Sequence, residues 1–175
     1  MEIWQEIRKD YDRGAERLVS EYGNRLYAAA LLLCSNGQDA DELTFRTLNQ
    51  AIRKIKTFDP SRNFYTWLYT IMLNFRRMDM RRKHSNIIPV GSTADLPEVA
   101  IDSFAERLEH SGNEQLSAAI ASLSPQLREA VVLRYYEEKP VDEIALILQV
   151  PPGTVKSRLF NARAALNDFL TRKEP

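Results

Sequence analysis

Between Thr154 and Arg163 the side chains Thr154, Lys156, Ser157, Arg158, Phe160, Asn161 and Arg163 gather hydrogen-bonding groups, cations and one aromatic ring. Their chemistry is recognition, not bond-making. Amide and hydroxyl groups pair with base edges, an aromatic ring packs on a thymine methyl, and guanidinium groups meet phosphates. Folded as a helix, this segment lines up Val155, Leu159, Ala162 and Leu166 on one apolar face. Thr154, Lys156, Ser157, Phe160 and Asn161 then share the opposite face, with Arg158 and Arg163 flanking it. Pro152 suits a first helical turn, where the missing amide hydrogen is not needed. Upstream, Val141, Ile144, Ala145 and Leu148 recur at i, i+3, i+4 and i+7, and Gln149, Val150 and Pro151 end that helix. Two helices joined this tightly predict a helix-turn-helix with its second helix in a DNA major groove.

A second constellation lies earlier in the chain. From Arg46 to Lys83 there are ten basic residues against only Asp59 and Asp79. The formal net charge of the whole chain is zero, so positive charge is segregated here and near the C-terminal end. Phe58, Phe64, Tyr65, Trp67 and Tyr69 are interleaved with Lys56, Arg62 and later arginines. Unpaired bases stack on aromatic faces while cations hold the backbone, so the mixture suits single-stranded DNA. The loop Phe58 to Phe64, with Arg62 and Asn63, is the candidate for gripping a flipped base. Thr70, Asn74, Arg77 and Arg81 form a polar, basic helical face beside it.

The elements that must position these groups are helical. Ile3 to Leu33 reads as one or two helices interrupted near Gly14 and Gly23. Asp39 with Glu42 suggests a capping-box start for a helix whose Leu43, Leu48, Ile52 and Ile55 face a core and which ends near Lys56. Phe58, Asp59, Pro60 and Ser61 make a turn, followed by a long helix from about Phe64 to Lys83 with Trp67, Leu68, Ile71, Met72, Phe75 and Met78 as its buried stripe. Residues 85–112 are acidic, carry Pro89, Gly91, Pro97 and Gly112, and read as a flexible linker, with a short helix possible from Leu96 to Leu108. The expected fold is all-α: two small helical domains, 1–84 and 113–175, on either side of that linker.

Composition excludes several classes. Cys34 is the single cysteine, lies in the apolar run YAAALLLC and reads as a small core residue in a reducing compartment. His84 and His110 lack ligand spacing, no glycine loop cradles phosphate, and no nucleophile has a histidine base, so neither a metal, a cofactor nor an enzyme is expected. No apolar run is long enough to cross a bilayer and the start MEIWQEIRKD is unlike a signal peptide, which predicts a cytoplasmic protein.

GTVKSRL followed by AR and AL, preceded by EIA and LSP, resembles region 4 of bacterial sigma factors over Leu123 to Leu166. DADEL, FDPSRNF and WLYTI, with Asn74 and Arg81 following Trp67, resemble sigma region 2 of the extracytoplasmic-function group over Ala15 to Lys83. The resemblance implies an alternative sigma factor that joins core RNA polymerase and takes it to a two-part promoter. It implies that Asp41, Glu42, Leu43, Phe45 and Leu48 dock on the polymerase and that Phe58, Arg62, Asn63, Phe64, Thr70, Asn74, Arg77 and Arg81 hold the melted minus-ten strand. It further implies that Lys156, Ser157, Arg158, Phe160 and Asn161 read the minus-thirty-five element, with Thr154 and Arg163 on phosphates. An anti-sigma factor is the expected inhibitory partner. The chain departs from the family pattern at Phe45 for glutamine, Met78 for aspartate or asparagine with Asp79 one residue late, Glu138 and Gln149 for turn glycines, and Asn161 for arginine. The competing readings are a DNA-binding regulator that never joins polymerase, and a helical adaptor whose basic faces meet acidic proteins.

Overall fold

A computed structural model of the chain describes residues 2–34, 36–83 and 113–171, and among these every regular element is helical. The chain divides into two compact units, Met1–Pro89 and Val90–Pro175. The linker and the helix expected from Leu96 to Leu108 lie outside the described residues.

In the first unit α1 (Ile3–Lys9) and α2 (Tyr11–Cys34) meet at Asp10, and Asp10 caps both. Its extended backbone donates to the Glu6 carbonyl while its carboxylate accepts from the Arg13 amide. The chain therefore breaks at Asp10, and the interruptions expected at Gly14 and Gly23 are absent. Gly14 has another purpose. A Cβ there would lie 2.5 Å from the Ile7 Cα, so the missing side chain lets α1 cross directly over α2. Helix α3 (Gly37–Lys54) starts at Asn36, whose side-chain oxygen accepts the Asp39 amide at 2.8 Å. The expected Asp39–Glu42 box is thus corrected by one turn. Leu43, Leu48, Ile52 and Ile55 are all buried, as their spacing required. A 3₁₀ turn (Ile55–Thr57) leads into the loop before α4 (Phe64–Lys83).

Helix α4 buries Phe64, Tyr65, Leu68, Tyr69, Met72 and Leu73. This stripe is turned relative to the expected one: Trp67, Ile71 and Phe75 are only half-buried, and Met78 is exposed. The neighbouring helices pack on its Tyr65–Tyr69–Leu73 side, and hydrophobicity alone cannot distinguish two adjacent apolar faces. Cys34 is half-buried at the end of α2 instead of sitting in the core.

The second unit contains α5 (Asn113–Ser122), α6 (Pro125–Val131), a π-helical stretch (Val132–Tyr136), α7 (Val141–Leu148) and α8 (Pro152–Thr171). Val155, Leu159, Ala162 and Leu166 form the buried face of α8, and Ala162 and Leu166 pack with Ala119, Leu123 and Val131. Arg128 is buried and its guanidinium donates to the Ala121 and Leu123 carbonyls, closing the C-terminal end of α5. Ile144, Ala145, Ile147 and Leu148 carry the burial of α7, while Val141 is partly exposed.

Candidate nucleic-acid interface

The turn between α7 and α8 determines which face of α8 is presented. Gln149 closes α7 in the left-handed region at φ 56°, and its amide donates to the Ala145 carbonyl. The Val150 amide donates to the same carbonyl at 3.1 Å. At the entrance to α7, Glu138 is also left-handed at φ 53°, and the Lys139 amide donates to the Leu133 carbonyl. Lys139 also pairs with Glu143 at 2.7 Å, which tethers this turn to the first turn of α7.

With Val155 and Leu159 buried, α8 turns Lys156 and Asn161 outward as exposed side chains, with Thr154, Ser157, Arg158, Phe160 and Arg163 half-exposed around them. All seven predicted residues therefore have access to solvent on one helix. Arg163 rests its Nε against the Leu159 carbonyl at 3.4 Å, near Tyr135, whose hydroxyl pKa is raised by burial. The Ser157 hydroxyl donates to the Thr154 carbonyl at 3.4 Å, a long bond that an incoming base edge can replace.

The predicted residues of the first unit do not all reach its surface. Phe58 and Phe64 are buried, 4% and 8% exposed, and their rings meet edge to face at 5.0 Å between centroids. Trp67 lies 5.2 Å from Phe58 and 5.6 Å from Phe64, and Tyr22 lies 5.5 Å from Phe64. Phe58 and Phe64, expected among the minus-ten contacts, instead form the platform beneath the loop, because a ring enclosed by other rings has no face left for a base. What the platform carries is exposed: Asp59, Ser61, Arg62 and Asn63. Asp59 accepts from the Ser61 amide at 3.0 Å and hydroxyl at 2.8 Å, and these bonds, with Arg62 nearby, hold its carboxyl below the ordinary range. Asn63 caps α4 by accepting the Thr66 amide at 3.0 Å, which leaves its amide group facing solvent. Thr70, Asn74, Arg77 and Arg81 do share one face of α4, with Asn74 and Arg81 exposed. The Thr70 hydroxyl is turned back to the Thr66 carbonyl. Trp67, whose periodicity predicts a core position, is half-exposed, and one turn before Thr70 and two before Asn74 it belongs to this face. Its spacing from Thr70 and Asn74 was the available signal.

On α3, Asp41, Glu42 and Phe45 are exposed, whereas Leu43 and Leu48 are buried at 2% and 8%. Leu43 and Leu48 are corrected from contact residues to core. Phe45, 69% exposed, leaves an unburied aromatic ring beside two carboxylates.

Comparison with known proteins completes the picture. A family model of sigma-70 region 2 matches residues 18–86 and one of sigma-70 region 4 matches residues 113–166. The chain is 34% identical over 160 residues to the ECF RNA polymerase sigma factor SigE of Mycolicibacterium smegmatis, covering 90% of this chain but 62% of that relative's length. It is 31% identical to the ECF RNA polymerase sigma factor SigW of Bacillus subtilis, over 96% of this chain and 94% of that relative. The chain belongs to the ECF RNA polymerase sigma factors. Among solved structures, CnrH in complex with the cytosolic domain of CnrY superposes with a TM-score of 0.70 at 25% identity, covering 98% of this chain and 97% of that one.

The departures of this sigma factor from its family pattern now have physical content. Both turn positions that lack glycine, Glu138 and Gln149, have positive φ, so the fold retains the backbone that glycine would favour and puts strained side chains on it. Asp79, one position late, turns towards α3 and accepts from Arg46, while Met78 occupies the outward place. Asn161 is exposed on α8.

Proposed function

We propose that this chain is an alternative sigma factor that binds core RNA polymerase and directs it to promoters with two recognition elements, residues 1–84 and 113–175 acting as separate modules joined by 85–112. The observation that carries the reading is the presence, in one chain and in the family's order, of two modules that each expose a polar, cation-bearing helical face: Asn74 and Arg81 on α4, Lys156 and Asn161 on α8.

The division of labour follows from exposure. Asp41, Glu42 and Phe45 form the polymerase-docking patch, where a protruding ring ringed by carboxylates suits a surface that offers an apolar pocket with basic rims. Arg62, Asn63, Thr70, Asn74, Arg77 and Arg81 line the path of the melted minus-ten strand, with Trp67 added to them. Lys156, Ser157, Phe160 and Asn161 read base edges of the minus-thirty-five element; Arg158 holds its register, and Thr154 and Arg163 meet its phosphates. The polymerase supplies the chemistry, so the chain itself is not an enzyme. No described helix is long and apolar enough to cross a membrane. Work with core polymerase is what supports our reading of a cytoplasmic protein. Control by a protein partner is supported by the likeness to CnrH, solved in complex with the cytosolic domain of CnrY, and we take that partner to be an anti-sigma factor.

Reconstitution with purified core polymerase and a library of upstream sequences tests this. Promoter-specific initiation that requires the chain is the expected result; core binding without initiation, or DNA binding without core binding, overturns it.

A further inference from the structure

We infer that α1 is a clasp that sets the conformation of the minus-ten loop, with Arg8 as its positioning residue. The proposal rests on the reading of Asp59–Asn63 as a DNA-contacting loop. The region-2 match begins at residue 18, so α1 lies before the segment the family comparison covers. Nevertheless it is bound to the loop. The Arg8 guanidinium donates to the Ile55 carbonyl at 3.0 Å and the Phe58 carbonyl at 3.3 Å, the two residues that bracket the 3₁₀ turn leading into the loop. The same guanidinium lies 4.9 Å above the Trp4 ring, and Trp4 lies 6.1 Å from Phe58. One side chain thus ties the end of the 3₁₀ turn, the first ring of the aromatic platform and α1 together.

The tie has a direction. The Ile55 carbonyl closes the turn by accepting the Phe58 amide, and the Phe58 carbonyl lies just past it, so a cation that holds both fixes where the chain leaves the turn. Phe58 is the last residue before Asp59, so its carbonyl plane orients the peptide from which Arg62 and Asn63 depart. Helix α1 in turn is seated by Gly14, whose missing Cβ lets the Ile7 backbone approach, and by Glu6, buried with Arg17 at 2.8 Å. Arg8 touches no base; it acts through the loop.

The test uses holoenzyme reconstituted from core polymerase and the full chain, binding single-stranded oligonucleotides that vary one base at a time across the minus-ten element. Arg8→Met keeps an unbranched apolar side chain beside Trp4 while removing the guanidinium and its hydrogen bonds, and α1 is expected to stay packed through Ile3, Ile7 and Gly14. It is expected to lower discrimination at the base held by the loop by roughly tenfold, with core affinity and binding to a minus-thirty-five duplex unchanged. Arg8→Lys, which restores a donor and the charge, is expected to recover part of that discrimination; a purely structural role for Arg8 would shift thermal stability and leave base preference alone. Unaltered discrimination in Arg8→Met, or no recovery in Arg8→Lys, overturns the inference. Arg62→Ala and Asn63→Ala separate the two layers. If they change base preference and Arg8→Met does not, only the clasp fails; if neither changes it, the loop reading fails and the clasp with it.

Discussion

Arg46 on α3 reaches Asp79 on α4 with one guanidinium nitrogen at 2.8 and 3.0 Å from the two carboxylate oxygens, and lies 4.6 Å above the Phe75 ring. Adjacent helix positions point about 100° apart, so a carboxylate at 79 faces α3 while one at 78 would face outward. The late aspartate is therefore an interhelix tie. Both side chains are under a third exposed, so a double-mutant cycle of Arg46→Met and Asp79→Ala should return a coupling of about 0.5–1 kcal/mol in chemical denaturation. A coupling of zero would show that the pair holds nothing.

The left-handed turns at Glu138 and Gln149 predict stabilising substitutions. A non-glycine residue at these φ values of 53° and 56° carries about 1–2 kcal/mol of strain. Gln149→Gly relieves that strain, partly offset by the greater freedom of glycine in the unfolded chain, and should raise unfolding free energy by about 0.5–1 kcal/mol. Glu138→Gly should do the same, and the two should add, since they lie at opposite ends of α7. Loss of stability in either would mean that the Glu138 or Gln149 side chain makes a compensating contact.

Gly14→Ala should behave in the opposite way. The added methyl would sit 2.5 Å from the Ile7 Cα and 2.6 Å from its nitrogen, and backbone cannot rotate away. Separation of α1 from α2 should lower stability by about 1–3 kcal/mol, the range for overpacked interfaces. Gly23→Ala is the control, since its Cβ would meet only the Val19 Cγ1 at 3.7 Å, and it should be neutral or stabilising.

Acid should loosen the same α1–α2 junction. The Arg17 hydrogen bond, with charges from Arg13 and Arg17, holds the Glu6 carboxyl below its ordinary value of 4.5 despite the opposing effect of burial. A depressed folded-state pKa contributes stability that is fully present above the unfolded value and lost as pH falls through the folded one. Denaturation midpoints measured downward from pH 6 should therefore decline below about 4.5, and Glu6→Gln should flatten that decline. An unchanged profile in Glu6→Gln would move the acid sensitivity elsewhere, with Asp59 the next candidate.

On α8, Arg158→Ala should weaken every DNA sequence alike and reduce the salt dependence by about one phosphate contact, while Asn161→Ala should relax preference at a single base. Binding measured at several salt concentrations across a sequence library distinguishes them. Equal loss of preference from both would contradict the assigned roles.

The sequence by itself determined what could be reached by local periodicity and local chemistry. Val155, Leu159, Ala162 and Leu166 could only be the inner face of α8, and Leu43, Leu48, Ile52 and Ile55 that of α3, because each set repeats with the helical period and no other face of either helix is as apolar. The family was legible in the sequence through another route, the resemblance of GTVKSRL and FDPSRNF to sigma regions 4 and 2. Tertiary structure decided whatever depended on a neighbour distant in sequence. Helix α4 is apolar over more than one face, so only packing from α2 and α3 chose Tyr65, Tyr69 and Leu73 for the core and left Trp67 beside Asn74. Phe58 and Phe64 stand in the loop expected to hold DNA, but Trp4 and Tyr22, from other helices, enclose them. Arg8 meets Phe58 across fifty positions of sequence, and Gly14 lies under Ile7 because two helices cross. Those relationships belong to contacts between elements, which no local pattern encodes.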